Sequence, residues 1–216
     1  MRKNRMIFGG AFAVTLMATT ALAQTTATAV TDLNLRAGPG PMHDIRSVIP
    51  AGGSVDVLGC LEAANWCEVN HEGTEGWASG DYLETTLEAE PVAIVAPQVR
   101  REIRIVEHED AGANVIGGGT AGAVIGAVVG GPLGAAVGAV AGMGAGGLAP
   151  RDTTVTYVRD NPVEPVYLDG EVVVGAGLPD AVTLQPVPES DYRYAYVNGV
   201  PVIVEPSERR VIHIVR

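Results

Sequence analysis

The stretch that decides the fold of this chain is LNLRAGPG, residues 33–40, a short β-type run that ends in turn residues. Gly38-Pro39-Gly40 supplies a tight turn that a β-branched residue could not make. Similar runs follow in SVIPAGGSVDVLGC, residues 47–60, and in WCEVNHEGTEGWASGDYL, residues 66–83. Strands this short at this spacing predict a small β-barrel over residues 27–86.

This segment resembles the bacterial SH3-like domain family over nearly its whole length. The matching features are Leu33-Asn34-Leu35-Arg36-Ala37-Gly38-Pro39-Gly40, Ile49-Pro50-Ala51-Gly52 before Ser54-Val55-Asp56-Val57-Leu58, Asn65-Trp66 with Glu68-Val69, and Gly76-Trp77 leading to Tyr82-Leu83. The resemblance implies a module that binds or positions rather than catalyses, with cell-wall peptides and glycans as ligand classes. The candidate ligand-binding residues are Asn34, Arg36, Trp66, Trp77 and Tyr82. Two alternatives stay open: both tryptophans as barrel core or rim, and Arg36 as a structural partner of a nearby carboxylate.

The two cysteines, Cys60 and Cys67, flank LEAANW, which we expect at the tip of a hairpin between two strands. Cross-strand neighbours there can come close enough to bridge, so the pattern predicts a disulfide, with two free thiols as the alternative. A bridged cysteine cannot act as a nucleophile, although His71 lies near Cys67 in sequence. We therefore expect no enzyme and no catalytic residue in this module.

The first 23 residues have the form of a secretory signal: a basic start, an apolar run and the small residues Ala21-Leu22-Ala23. The alternative is a retained membrane anchor. Cleavage before Gln24 removes three of the 14 basic residues and leaves 11 arginines against 25 acidic residues, a formal charge of −14 with no lysine. Such a chain is a poor partner for nucleic acid, because phosphate neutralisation needs a basic face. We expect an exported protein of the periplasm or cell envelope.

Residues 117–147 form a glycine-rich stretch that admits three interpretations: a dinucleotide site, a flexible linker and a membrane or packing segment. GGGTAG formally fits a dinucleotide fingerprint, but no acidic residue follows about 20 positions later. The linker interpretation fails because the glycines keep an unbroken spacing of four. The spacing of four is kept by Gly118, Gly122, Gly126, Gly130, Gly134, Gly138, Gly142 and Gly146.

On a helix this spacing aligns the glycines into a stripe that lets another helix approach closely. The segment resembles the glycine-zipper elements of bacterial envelope proteins. Gly130-Gly131-Pro132 would break a single helix, so we expect a helical hairpin over residues 113–149, with arms near 113–130 and 133–148. Association with a membrane and self-association through residues 113–148 both remain open.

Residues 87–112 are expected to be a connector with a solvated, mixed-charge face. From about Thr153 onward the chain is predicted to be β-rich, with hairpins at Asp169-Gly170 and Asn198-Gly199 and a last strand in ERRVIHIVR. The ending, residues 153–216, resembles a bacterial family known as domain of unknown function 1236, which implies no activity. The matching features are Val174-Gly175 with Leu178-Pro179, Tyr192-Arg193-Tyr194, Val197-Asn198-Gly199 with Pro201-Val202, and Arg209-Arg210-Val211-Ile212.

Tyr192, Tyr194 and Tyr196 alternate and so share one face of a strand, either as a stacking surface or as the buried face of a small sheet. His213 has no second ligand at metal spacing, which favours a structural histidine and predicts no metal site. No cofactor is expected.

The sequence thus predicts a mainly β fold with a helical insert: an SH3-like β-barrel, a glycine-zipper helical hairpin and a small β-rich (α+β) C-terminal domain. The predicted function is non-enzymatic binding or scaffolding in the periplasm, with peptidoglycan or an envelope protein as partner. The two alternatives are a purely structural, zipper-driven membrane-associated oligomer and an accessory subunit of a cell-wall enzyme.

Overall fold

The computed structural model describes residues 25–62, 65–108 and 149–216, together with the backbone of residues 124–128. The predicted signal peptide and most of the predicted glycine hairpin lie outside the described residues. The described part of the chain is mainly β, as the sequence predicts. It forms an N-terminal module, residues 25–93, a connector, residues 94–108, and a C-terminal module, residues 149–216.

The N-terminal module is an antiparallel sheet of eight strands. The strands are β1 (Thr25–Ala29), β2 (Leu33–Arg36), β3 (Ile45–Ile49), β4 (Ser54–Cys60), β5 (Trp66–His71), β6 (Thr74–Ser79), β7 (Leu83–Leu87) and β8 (Glu90–Ala93). Their order in the sheet is β3-β2-β6-β5-β4-β1-β7-β8. In β4 the side chains of Val55 and Val57 are buried between exposed neighbours, which gives the sheet one apolar face.

The connector contains the short helix α1 (Pro97–Arg100) and then runs beside the end of β4. Cys60 and Ile105 form a parallel bridge, in which the Cys60 amide donates to the Arg104 carbonyl and the Val106 amide donates to the Cys60 carbonyl. We call residues 104–106 the connector strand. The connector is therefore packed onto the N-terminal module and is not merely a solvated link.

The C-terminal module begins with a helix, α2 (Asp152–Asp160), where the sequence predicts β structure. The β-branched residues of TTVTYV favour a strand, but Thr154 and Val158 are buried one helical turn apart, so packing overrides local propensity. A sheet follows in the order β11-β12-β13-β14. Its strands are β11 (Gln185–Pro186), β12 (Arg193–Val197), β13 (Val200–Glu205) and β14 (Arg210–Ile214).

Only one of the two predicted C-terminal hairpins forms. Asn198 and Gly199 both have positive φ, 52° and 82°, and connect β12 to β13 as predicted. Asp169-Gly170 does make a turn, with Gly170 at φ 84°, but no paired strand follows it. The prediction of a hairpin there is wrong because residue 171 turns into the N-terminal module instead.

Within the predicted glycine hairpin the structure describes only β9 (Val124–Val128), which is a strand and not a helix. It pairs in parallel with β10 (Tyr167–Asp169), with Val124 opposite Tyr167. For these five residues the structure has a strand where the sequence predicts a helix, and the predicted packing role of Gly126 stays a prediction. Valine and isoleucine favour strands, and glycine is a poor helix former, so the local sequence VIGAV is compatible with a sheet. The other seven glycines of the predicted stripe lie outside the described residues.

The two modules share one core. Leu35 and Val69 of the N-terminal sheet belong to the same continuous cluster of buried apolar residues as Val172 and Val202 of the C-terminal module. Burial of apolar surface drives folding, so the cluster binds the modules into one packed unit. In the described part of the chain, no helix has the length and apolar character needed to cross a membrane.

Candidate functional site

Arg36 lies at the end of β2, a strand with all four residues buried, and its side chain is only 1% exposed. Its partner is Glu171 of the C-terminal module, which is fully buried. The Nε and Nη2 atoms of Arg36 donate to the two carboxylate oxygens of Glu171, with 2.8 Å between Nη2 and Oε1. This bidentate pair is the strongest geometry available to a guanidinium and a carboxylate.

The remaining guanidinium hydrogens of Arg36 meet backbone carbonyls. Nη1 donates to the carbonyls of Pro41, at 3.0 Å, and His43, at 2.8 Å. Nη2 also donates to the carbonyl of Asn198, at 3.0 Å. Arginine has five N–H donors, and these contacts give each of them an acceptor. The buried charge is therefore both paired and fully hydrogen-bonded.

Two other predicted ligand residues contact Glu171. The Asn34 Nδ2 atom donates to the Glu171 Oε1 atom at 3.2 Å, and the Tyr82 hydroxyl donates to the Glu171 carbonyl at 3.2 Å. The amide of Val172 donates to the same Oε1 atom at 3.0 Å. Asn34, Arg36 and Tyr82 thus converge on one residue of the same chain. This arrangement matches the alternative in which Arg36 pairs with a nearby carboxylate.

The turn that presents Glu171 is held by Asn198, which is fully buried. Its Oδ1 atom accepts from the Leu168 amide at 2.8 Å, and its Nδ2 atom donates to the Gly170 carbonyl at 2.9 Å. A side-chain amide can replace backbone partners on both sides of such a turn. Asn198 therefore links the turn between β12 and β13 to the turn that carries Glu171.

Burial raises the pKa of the Tyr82 phenol far above its usual value, and the nearby charges of Asp81 and Glu171 raise it further. A phenolate would be disfavoured in this buried, negatively charged setting. Tyr82 is thus a neutral hydroxyl that donates to Glu171. Burial also raises the pKa of Asp81, against the lowering effects of its hydrogen bond to Asn65 and the charge of Arg100.

The two predicted indoles lie in a separate cluster. Trp66 and Trp77 are 7% and 5% exposed and pack with Leu61 against Val106 of the connector strand. The His108 ring meets the Trp77 ring edge to face, with 5.2 Å between centroids. The connector therefore covers both indoles, which agrees with the alternative in which they belong to the core.

The disulfide prediction is confirmed. Cys60 on β4 lies directly opposite Cys67 on β5, and the two sulfur atoms are bonded. Both residues are buried, at 6% and 1% exposure. The bridge joins the paired strands β4 and β5, so it serves as a buried cross-link.

The tyrosines of β12 lie against helix α2. The Tyr194 hydroxyl donates to the Asn161 carbonyl at 3.0 Å, and the Tyr196 hydroxyl donates to the Val158 carbonyl at 3.1 Å. The stripe is therefore part of a packed interface and not an open stacking surface.

Burial lowers the pKa of His213 on β14, and the charge of Arg216 lowers it further.

The solvent-open concavity next to the disulfide has a volume of about 390 Å³. It is lined by Cys60, Leu61, Glu62, Val95, Pro97, Arg100, Arg101, Ile103, Arg104 and Ile105.

Sequence reasoning missed this site and treated the connector arginines as a solvated face. It also missed Glu171, although an acidic residue directly before the apolar run Val172–Val174 was a signal that a buried partner exists.

Among the described residues, no three His, Cys, Asp or Glu side chains are grouped closely enough to hold a metal ion.

Comparison with known proteins matches two segments of the chain. Residues 31–84 match the family model of the bacterial SH3 domain, and residues 157–216 match that of a domain of unknown function, DUF1236. No curated protein and no solved structure matches the chain. The site of Arg36 and Glu171 therefore joins a segment similar to bacterial SH3 domains, which are binding modules often related to the cell wall, to a segment similar to DUF1236.

Proposed function

We propose that this protein is a non-enzymatic, exported component of the cell envelope that binds or scaffolds in the periplasm through its SH3-like module. The observation that carries the proposal is the match of residues 31–84 to the bacterial SH3 domain, a family whose members often bind cell-wall components. The disulfide between Cys60 and Cys67 supports an oxidising compartment, because such bonds persist outside the cytoplasm. Peptidoglycan is the partner class we favour.

We propose a non-enzymatic role because the side chains considered as nucleophile or base, those of Cys60, Cys67, His71 and Tyr82, are each engaged in other contacts. Both cysteines are consumed by the disulfide, so neither thiol can form a thiolate nucleophile. His71, the nearest histidine in sequence, makes a contact between its Nδ1 atom and the Ser54 carbonyl, at 3.0 Å, and not with Cys67. Tyr82 is held neutral by its surroundings and donates to a backbone carbonyl.

The internal pair of Arg36 and Glu171 changes where an external ligand would bind. Asn34, Arg36 and Tyr82 are occupied by the C-terminal module, and the connector covers Trp66 and Trp77. An external partner therefore uses a different surface of the same module. The C-terminal module acts as a permanent structural partner that fills the face predicted for ligand.

Co-sedimentation with purified peptidoglycan tests the proposal. The full mature chain, from Gln24 onward, is mixed with insoluble peptidoglycan and centrifuged, and we expect it in the pellet in a saturable manner. A mature chain with Glu208→Gln, an exposed change between β13 and β14 of the C-terminal module, serves as the matched control and should pellet equally. A folded chain that stays in the supernatant at every peptidoglycan concentration would rule out wall binding.

Fractionation tests the export part of the proposal separately. We expect the native host protein in the periplasmic or envelope fraction, with an N-terminus at Gln24 by protein sequencing. Retention of Met1 in a cytoplasmic fraction would contradict export.

A further inference from the structure

The concavity beside the disulfide is lined by three arginines and lies next to an unpaired edge of the connector strand. Its floor is apolar, because Leu61 and Ile103 are buried beneath it and Val95 is half-buried at its side. Ile105 lies at the rim and is 58% exposed, one of two large apolar side chains in the described residues that are exposed. An exposed apolar residue at the mouth of a cavity is typical of a binding surface.

The fold holds this concavity in shape from two sides. Gly59 allows the connector strand to approach β4 closely, since a Cβ atom there would lie 2.9 Å from the Arg104 carbonyl. On the other side, Arg100 donates from Nη2 to the Glu62 carbonyl at 2.8 Å and from Nη1 to the Asn65 side chain at 3.1 Å. The hairpin tip and the connector are thereby tied together, so the concavity is preorganised for a ligand.

The charge at this concavity is opposite to that of the whole chain. Three of the 11 arginines that follow the signal segment line it: Arg100, Arg101 and Arg104. Glu62 is the acidic residue among the lining side chains. Arg101 and Arg104 are exposed, and neither forms an ion pair within the part of the chain that the structure describes. A carboxylate on the ligand would complement them.

The connector strand has an open edge. The ladder to Cys60 uses the Arg104 carbonyl and the Val106 amide. Backbone groups alternate along a strand, so the amide and carbonyl of Ile105 point away from β4. Neither has a backbone partner in residues 25–62, 65–108 and 149–216. An extended peptide could add to this edge as a further strand.

We propose that this edge and its cavity bind an extended acidic peptide in which apolar and acidic residues alternate. Alternate residues of a strand point to opposite faces, as Arg104 and Ile105 do on the connector strand. An added peptide in register places its apolar side chains beside Ile105 and its carboxylates beside Arg104, and Arg101 adds a second positive charge at the same concavity. The inference rests on the proposed binding function and names its ligand class.

A peptide fits these observations better than a polyanion or a lipid. The formal charge of −14 on the chain after the signal segment disfavours nucleic acid and anionic membranes, which extend far beyond this concavity over the acidic surface, whereas a short peptide meets only the arginines that line it. A free strand edge satisfies peptide backbone groups, which a lipid chain does not carry. The volume of about 390 Å³ suits one or two side chains.

Fluorescence anisotropy with the full mature chain tests this. The probe is a labelled hexapeptide of alternating valine and glutamate, and the comparison probe replaces glutamate with glutamine. We expect the acidic probe to bind more tightly, with affinity falling as salt rises. Arg101→Gln and Arg104→Gln should each weaken binding about two- to fivefold, the range expected for exposed charge pairs. Arg193→Gln removes the same charge from an exposed site on β12 and should leave binding unchanged.

Ile105→Pro tests the strand edge itself, because proline removes the amide that faces the peptide and leaves the bonds to Cys60 in place. We expect loss of binding with unchanged thermal unfolding, and Ile105→Thr should retain most of the binding. Should the proline variant unfold early, the arginine variants still decide the question, since their side chains are exposed.

Equal affinity for the acidic and neutral probes, or equal effects of Arg104→Gln and Arg193→Gln, would overturn the inference. The peptide-binding experiment and the peptidoglycan experiment can fail independently, so their results distinguish this inference from the proposed function. If the arginine variants pellet with peptidoglycan as well as the unchanged chain does, wall binding stands and this site is not its location. If the acidic probe binds but peptidoglycan does not, the peptide site stands and wall binding fails.

Discussion

Replacing Glu171 by glutamine should destabilise the whole folded unit, because it leaves the Arg36 guanidinium buried without a counter-charge. Both side chains are almost inaccessible, at 1% and 0% exposure, so water cannot take over the lost interaction. Removing one member of a buried ion pair costs about 3–5 kcal/mol. For a chain of this length, about 1 kcal/mol shifts the melting temperature by about 2–4 °C. We expect a decrease of about 6–20 °C.

The measurement is thermal and urea unfolding of the mature chain, followed by circular dichroism. Glu208→Gln removes a carboxylate from an exposed pair with Arg210 and is the matched control, for which we expect no measurable shift. A loss of cooperativity in the Glu171→Gln variant would show that the two modules unfold separately once the pair is broken.

A double-mutant cycle isolates the pair itself. Arg36→Met removes the charge and leaves the Glu171 carboxylate buried without it, so this single change should also be strongly destabilising. The double variant carries neither charge, and we expect it to be more stable than the sum of the single losses predicts, by at least about 1 kcal/mol. Strict additivity, or a Glu171→Gln variant as stable as the unchanged chain, would refute the reasoning.

Two further predictions concern the disulfide and acid stability. Replacing Cys60 and Cys67 together by alanine should lower the free energy of unfolding by about 2.4 kcal/mol, because the unfolded chain regains the entropy of a loop with a sequence separation of 7. Urea unfolding measures this change, and an unchanged urea midpoint would contradict a stabilising role of the disulfide. Burial and Arg216 lower the pKa of His213 in the folded state, so the unfolded chain binds the proton more readily and stability should fall as pH drops through about 6.5. His213→Gln should reduce that fall in urea unfolding at about pH 7.5 and 5.5, and equal acid sensitivity in both proteins would assign the effect to other groups.

The pair of Arg36 and Glu171 also bears on how the two modules relate. A face predicted to bind external ligand is filled by Glu171, and a common apolar core lies around it. Separation of the modules would expose that apolar core to water and break the hydrogen bonds between Arg36 and Glu171, and the loss of apolar burial opposes separation. The C-terminal module is therefore a structural complement of the SH3-like module and not a domain on a tether.

Local patterns were enough to predict several features. The turn residues and short β-type runs of residues 27–86 predict strands, and Asn198-Gly199 predicts its hairpin, because each depends on neighbours in sequence. The disulfide followed from two cysteines on either side of one hairpin. Arg36 was predicted to bind a ligand or to pair with a nearby carboxylate, and the structure pairs it with Glu171.

What the tertiary structure alone decided is which distant groups meet. Arg36 and Glu171 are 135 residues apart, and no local pattern says that one turn of the C-terminal module will enter the N-terminal face. The same reason explains two of the three wrong local predictions. Helix α2 forms in a β-branched run because Thr154 and Val158 pack inward, and Val124–Val128 forms a strand because β10 offers it a partner. Sequence determined the local conformations that each segment can adopt, and long-range packing selected among them, since burial and charge pairing depend on neighbours that are remote along the chain.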